Sequence, residues 1–380
     1  MTDSLGGPGV HPPGQGVSTL YAAVDPTPQE TLAGARSNAT IRRSDLLSAA
    51  ELRALSRAPA RVTILPLLAC YGIIGGTIAV AEWSDHLAVY ALAALVIVSR
   101  THAIGILMHE FAHDHVFKSR RLNLIGGELA SLFLPFSMSR HRATHLLHHR
   151  FTSTDRDPDW LQFKRTMFGW MVSPSRGRMA LIAHHLFAAS GLAGIGVFLS
   201  DNWLAIQNVL GRPPFLPMTM SIAKDASGKI DKSATALLVV PRWADALTLT
   251  VVATAATGII TFHLYSQFIL YYFVPNFMLF ALFAYIRVQT EHWGEFDDRP
   301  LLTPTRTVTR SILGNLFFAP YNINFHTEHH LFPQVPWCNL ERLHDKLCEN
   351  RVYKEVTVIH RSHLGAIRRH FRKAVSDFVA

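Results

Sequence analysis

Cysteine is scarce in this chain: three residues in 380, Cys70, Cys338 and Cys348, with no two close in sequence. That count and spacing exclude a disulfide framework and any cysteine-based zinc or iron–sulfur site. The Gly-x-Gly-x-x-Gly dinucleotide fingerprint is missing too, and His11-Pro12-Pro13-Gly14 has no haem-binding domain around it and reads as tail. Charged residues make up only 17% of the chain against 49% hydrophobic, with a mean hydropathy of +0.18. Such a chain is too apolar for an ordinary soluble basic protein and too polar for a bundle wholly in lipid. A few membrane spans carrying a large polar head fit it. The net charge is +9, but the cations flank apolar segments, which is the membrane pattern, and no nucleic-acid partner is expected.

Residues 1–57, rich in Pro, Gly, Ala and Ser, read as a flexible tail without a secretory signal, leading into a short amphipathic stretch, Ser44–Arg57. Residues 58–350 form the membrane and catalytic-cap domain, and 351–380 a basic cytosolic segment. Four stretches are long enough to span: Val62–Ala81, Leu87–Met108, Ala244–Phe262 and Gln267–Ile286. The turns joining each pair, Glu82–His86 and His263–Ser266, contain no Lys or Arg. The other segments contain many: Arg53, Arg57 and Arg61, then Lys118, Arg120 and Arg121, then Arg140 to Arg178, and Arg361 to Lys373. The positive-inside rule then places both termini and the middle region in the cytoplasm. The expected architecture is an all-α membrane protein, two transmembrane hairpins under a cytosolic helical cap. Two more apolar stretches, Leu122–Met138 and Ala180–Ser200, are read as non-spanning, because a single extra crossing would put the histidine clusters on opposite sides. Residues 201–243 are expected to be a loop-rich insertion.

Histidine is over-represented, at 21 copies. His109-Glu110-Phe111-Ala112-His113 closes the second span, and its i, i+4 imidazoles share one helix face about 5–6 Å apart. His145, His148 and His149, and later His326, His329 and His330, repeat an i, i+3, i+4 pattern that gathers three rings on one face. Imidazole suits Fe, Zn, Cu or Ni. One such cluster can arise by chance; three on one face of the membrane point to bound metal, since unpaired clusters near lipid are costly. Eight histidines exceed the capacity of one metal. A zinc protease built on His109, Glu110 and His113 needs about three protein ligands. A histidine-rich transporter needs ligands near mid-span, whereas these lie at span ends. Two metals fit better, with iron the candidate whose redox chemistry uses such a site.

The pattern HxxxH, HxxHH, HxxHH resembles the membrane fatty acid desaturase and hydroxylase superfamily. The flanks agree: Arg142 to Asp159, with Asp155, Asp157 and Pro158 trailing the second box, and Asn322 to Pro333 around the third. The likeness, from about residue 60 to 350, implies that family's fold and a di-iron centre (Fe2+/Fe3+) that activates O2. It also implies a ninth ligand at the end of the last span, where His292 stands in Glu291-His292-Trp293-Gly294. Glu110, Glu328, Asp155 and Asp157 are natural acceptors for ligand ring N–H groups, and Asn322 and His102 are further candidates beside the metals. The expected activity is O2-dependent desaturation of a long acyl chain. A hydroxylase or ketolase acting on a carotenoid, lipid or alkane is the alternative on the same scaffold. With no electron carrier of its own, the chain needs an external donor such as a ferredoxin or cytochrome b5, and a basic cap suits an acidic partner.

Overall fold

The computed structural model describes residues 32–33, 40–154, 156–159, 177–212, 228–292 and 302–368. Helix α1, Ala49–Leu55, starts from a capping box in which the Ser48 hydroxyl accepts from the Glu51 N–H and the Glu51 carboxylate accepts from the Ser48 N–H. Its chain passes through Pro59 into α2, Arg61–Ser84. Asp85 turns left-handed to end α2, and the His86 Nδ1 accepts the Ala88 N–H to open α3, Leu87–Ala112. With only two residues between them, α2 and α3 pack along each other, burying Cys70, Ile74 and Ala81 with Ile97, Ile104 and Leu107.

Among the described residues, four helices are long and apolar enough to cross a membrane: α2, α3, α8 (Arg242–Thr261) and α9 (Tyr265–His292). Three of them contain an expected span whole, and α8 contains Ala244–Phe262 but for its last residue, Phe262, which caps the helix. Helices α3 and α9 run beyond the apolar stretches predicted to end at Met108 and Ile286, because the histidine-bearing residues continue the same hydrogen-bond ladder. Within α9, Ile269–Leu279 is wound as a π-helix, where Pro275 lacks the N–H an α-ladder needs.

Neither additional apolar stretch is one uninterrupted helix. Leu122–Met138 is divided between α4 (Arg120–Ala130) and α5 (Met138–Phe151), with non-helical residues between them. Ala180–Ser200 breaks at Gly191, φ 83°, into α6 (Gly177–Ala189) and α7 (Leu192–Val209). Helix α7 packs on α8 and on the π-helical part of α9. The expectation of a loop-rich 201–243 needs correction: its first part is the second half of α7, and Lys232–Leu237 is helical. Residues 213–227 lie outside the described ones.

A second core collects Leu331, Phe332, Leu340, Leu343, Leu347 and Tyr353 from α10 (His326–Leu331), α11 (Leu340–Leu347) and the residues after it. Leu46, Leu47 and Leu55 join it, so the apolar face of Ser44–Arg57 is buried against the third histidine box's surroundings. Asn339 Nδ2 fastens the junction by donating to the carbonyls of Leu55 (2.7 Å) and Arg57 (3.1 Å).

Candidate metal centre

Four elements converge on the histidines. The last turn of α3 supplies His109 and its C-cap His113, α5 supplies His145, His148 and His149, the end of α9 supplies His292, and α10 supplies His326, His329 and His330. Arg142 fixes the meeting of α3 and α5, since its guanidinium reaches the Ala112 carbonyl and the Asp114 carboxylate (2.6 Å).

The rings fall into two groups. His109, His113, His145, His149 and His329 each offer a nitrogen, all within 4.8 Å of one another, and His148, His292 and His330 do likewise. His326 belongs beside the second group: its Nε2 is 2.7 Å from that of His292, and its ring is 4.6 Å from that of His330.

The donor chemistry fits cations at both places. His145 Nε2 stands 2.7, 3.0 and 2.9 Å from the Nε2 atoms of His109, His113 and His149. A ring nitrogen carries either one N–H or one lone pair, so three such contacts cannot all be hydrogen bonds. Lone pairs converging at about 3 Å form the edges of a coordination shell with metal–nitrogen bonds of about 2.0–2.1 Å. In the second group the Nε2 atoms of His148 and His330 have no hydrogen-bond partner among the described residues. Burial, joined by the neighbouring rings, holds His113, His145, His149, His326, His329 and His330 well below the usual histidine pKa. Neutral rings with their lone pairs available are the form a metal needs.

His148 differs. Burial acts to lower its pKa, but the carboxylates of Asp157 and Asp159 overcome that and push it up to about 9. Its Nδ1 is 2.9 Å from Asp157 Oδ1, which fixes the Nδ1–H tautomer and aims Nε2 at the second group. Asp157 is held in turn by the Ser153 N–H (2.7 Å) and the Asp159 N–H (2.9 Å).

The other acids named from sequence lie elsewhere. Glu110 keeps 3.8 Å from His109 Nδ1 and pairs instead with His115 Nδ1 (2.9 Å) and the Trp337 N–H (3.2 Å). Glu328 turns away from the rings on either side of it to Thr307, His344 and Tyr353. Asn322 donates to the Trp337 carbonyl (3.4 Å). His102 is buried two turns below His109 and packs against Phe280, centroids 4.4 Å apart and rings tilted by 34°, outside both groups. Asp155 lies outside the described residues.

Several contributors lie outside the three histidine boxes. Thr152 Oγ1 is 3.3 Å from His330 Nδ1 across 178 residues. His141 stacks on His145 at 5.0 Å with 14° between planes. Glu291 Oε2 lies 3.5 Å from His326 Nδ1, and its place beside His292 was the one available hint.

Four helices able to cross a membrane and nine histidines gathered in two adjoining groups define a helical membrane protein with a site able to hold metal. The model for the fatty acid desaturase family matches residues 85–362, and the chain belongs to that family. It is 21% identical over 316 residues to an acyl-lipid (9-3)-desaturase of Physcomitrium patens, across 78% of this chain and 55% of the relative. The chain thus spans about half the length of that curated relative.

Proposed function

We propose that the chain is an O2-dependent acyl-lipid desaturase that removes two hydrogens from a long alkyl chain at a histidine-held pair of irons. The observation that carries this is the division of nine histidines into a group of five and a group of four in ring contact with each other. Two such groups exceed what one catalytic zinc uses. His109, His113, His145, His149 and His329 would hold one iron, and His148, His292, His326 and His330 the other.

Iron (Fe2+/Fe3+) held there, with O2 as co-substrate, would supply the oxidising power for unactivated C–H bonds. The chain's own residues place and protect that chemistry. Asp157 orients His148, and Arg142 locks α5 to the end of α3. Beyond the polar turns at Ser99–His102 and Arg287–Glu291, α3 and α9 are largely apolar, so a saturated chain arriving from the bilayer meets few polar groups that need desolvating over most of its path. The cations that flank the spans favour a cytoplasmic site and cytoplasmic termini, with two hairpins beneath a cap formed by the rest of residues 58–350. Electrons would arrive from a separate acidic donor protein at that basic face.

The test is to purify the protein from a host whose lipids are then analysed. About two irons per chain, and new double bonds that require O2 and an external reductant, are expected. Hydroxylated or keto products would move the reaction to the alternative, and one zinc indifferent to His149→Ala would overturn the di-iron reading.

A further inference from the structure

A cavity of about 780 Å³ opens between α1 and the loop that follows α3. Arg53, Arg57 and Lys118 line it, and none of the three forms an ion pair with another described residue. The acid in its wall, Asp114, is already matched by Arg142 at 2.6 Å. His115 also lines it, with both ring nitrogens committed: Nδ1 to Glu110 (2.9 Å) and Nε2 to the Pro333 carbonyl (3.0 Å). Among the described residues, the cavity therefore presents an excess of positive charge that no further acid neutralises. Its volume is that of a small-molecule site, and its concavity suits a head group better than the face of another protein.

Its surroundings point to lipid. Four residues past Arg57 begins α2, whose Leu65 and Leu68 are each 61% exposed. Two residues past Lys118 begins α4, whose Leu122, Ile125 and Leu129 are also exposed. Two apolar, uncovered surfaces thus flank a cationic hollow, which is the arrangement of a membrane interface, where phosphates lie between cations and acyl tails. The wall residue Asp114 directly follows His113, so the cavity adjoins the five-histidine group.

We propose that this cavity binds the phosphate of an anionic glycerophospholipid through Arg53, Arg57 and Lys118, and that such a lipid carries the acyl chain to be oxidised. The second half rests on the desaturase reading; the binding does not. A soluble probe, dioctanoyl phosphatidylglycerol, is titrated against the full-length, metal-loaded protein in neutral detergent by calorimetry, beside dioctanoyl phosphatidylcholine, inorganic phosphate and coenzyme A. The wild type binds phosphatidylglycerol in preference to the zwitterionic lipid. The combined Arg53→Gln, Arg57→Gln, Lys118→Gln variant loses about a hundredfold in affinity, since each cation near an anionic head group is worth about fivefold. The Arg53→Lys, Arg57→Lys variant keeps its charge and retains binding, and Lys118→Gln alone, with an intermediate loss, serves if the triple variant does not fold. Unchanged affinity in the charge-removed variants, equal binding of phosphatidylcholine, or preference for inorganic phosphate or coenzyme A overturns the proposal. Phosphatidylglycerol bound at these residues in a protein that oxidises no acyl chain keeps the site and defeats the desaturase reading instead.

Discussion

His149 and His330 stack face to face, centroids 4.2 Å apart and planes inclined by 25°, although one belongs to the five-histidine group and the other to the second. The two groups are therefore not independent sites on one scaffold. Each ring is a wall of the other's neighbour, and a change at either is expected to be felt at both.

Truncating His149 to Ala tests that coupling. It removes a nitrogen 2.9 Å from His145 and opens the face of His330. Elemental analysis of folded protein is expected to find less than half the wild-type iron, where independent sites would lose only one metal. Iron falling by half, with the remainder as tightly held as before, would show that the stack does not couple them.

Asp157→Asn keeps an acceptor for the His148 Nδ1–H but removes the carboxylate charge that pushes that ring's pKa up to about 9. Partners of this kind tune a metal site by about 10- to 100-fold in affinity. A chelator competition is expected to strip iron from the variant at correspondingly lower chelator concentration, without loss of helical content by circular dichroism. Equal resistance to chelation would mean that Asp157 only anchors the turn at Ser153.

The third box depends on a network away from the two histidine groups. Glu328 is fully buried and accepts from the Tyr353 hydroxyl, with His344 Nδ1 and the Thr307 hydroxyl beside it. Tyr353→Phe leaves that carboxylate one donor short, at a cost of about 1.5–3 kcal/mol, and is expected to lower the thermal transition by several degrees. His344 adds a pH dependence: burial lowers its pKa, and the bond to Glu328 outweighs this and raises it. A raised folded-state value means that the stabilisation is complete below the unfolded value of about 6.5 and is lost as pH rises through the folded one. The stability gap between wild type and His344→Gln should therefore narrow from pH 6 towards alkaline pH, and a gap that widens would reverse the assignment.

Much of this site was legible because short-range spacing carries it. Helical i, i+3, i+4 spacing puts His145, His148 and His149 on one face whatever else the chain does, and hydropathy alone located α2, α3, α8 and α9. What spacing does not carry is the direction of a side chain that has several possible partners. Glu110 and Glu328 sit between histidines in sequence, yet on a helix adjacent residues diverge by about 100°, so each faces a different neighbour from the histidines beside it. Thr152 and Tyr353 act on boxes more than twenty residues away, a relation set only by the packing of α5, α10 and the C-terminal core. The break at Gly191 was hidden for the same reason: an apolar run reads as continuous until a positive φ interrupts it.

Gly194 tests the packing of α7 against α9. A Cβ there would lie 2.8 Å from the Phe277 carbonyl oxygen and 2.9 Å from its Cα, both backbone atoms that cannot rotate away. Gly194→Ala must push α7 off the π-helical part of α9, at an overpacking cost of about 1–3 kcal/mol. A lower thermal transition in detergent is expected, and a transition unchanged or raised would mean the two helices are not held together at this contact.

His292 is the ligand candidate that the box patterns alone would miss. It ends α9, and its Nε2 lies 2.7 Å from that of His326, with its ring 4.7 Å from that of His148 and 5.1 Å from that of His330. Those three rings come from α5 and α10, so His292 is the one member of the second group supplied by a helix long and apolar enough to span. The bland reading is an interfacial histidine whose proximity to His326 is an ordinary hydrogen bond. The two readings part on a substitution that preserves that bond. His292→Gln can still hydrogen-bond His326 but offers a poor ligand in place of a neutral imidazole. If His292 holds metal, both His292→Ala and His292→Gln lose iron, and spectroscopic signatures of a coupled pair disappear in each. Were the residue only a hydrogen-bonding neighbour, His292→Gln would keep wild-type iron and turnover, leaving His148, His326 and His330 to hold the second metal without it.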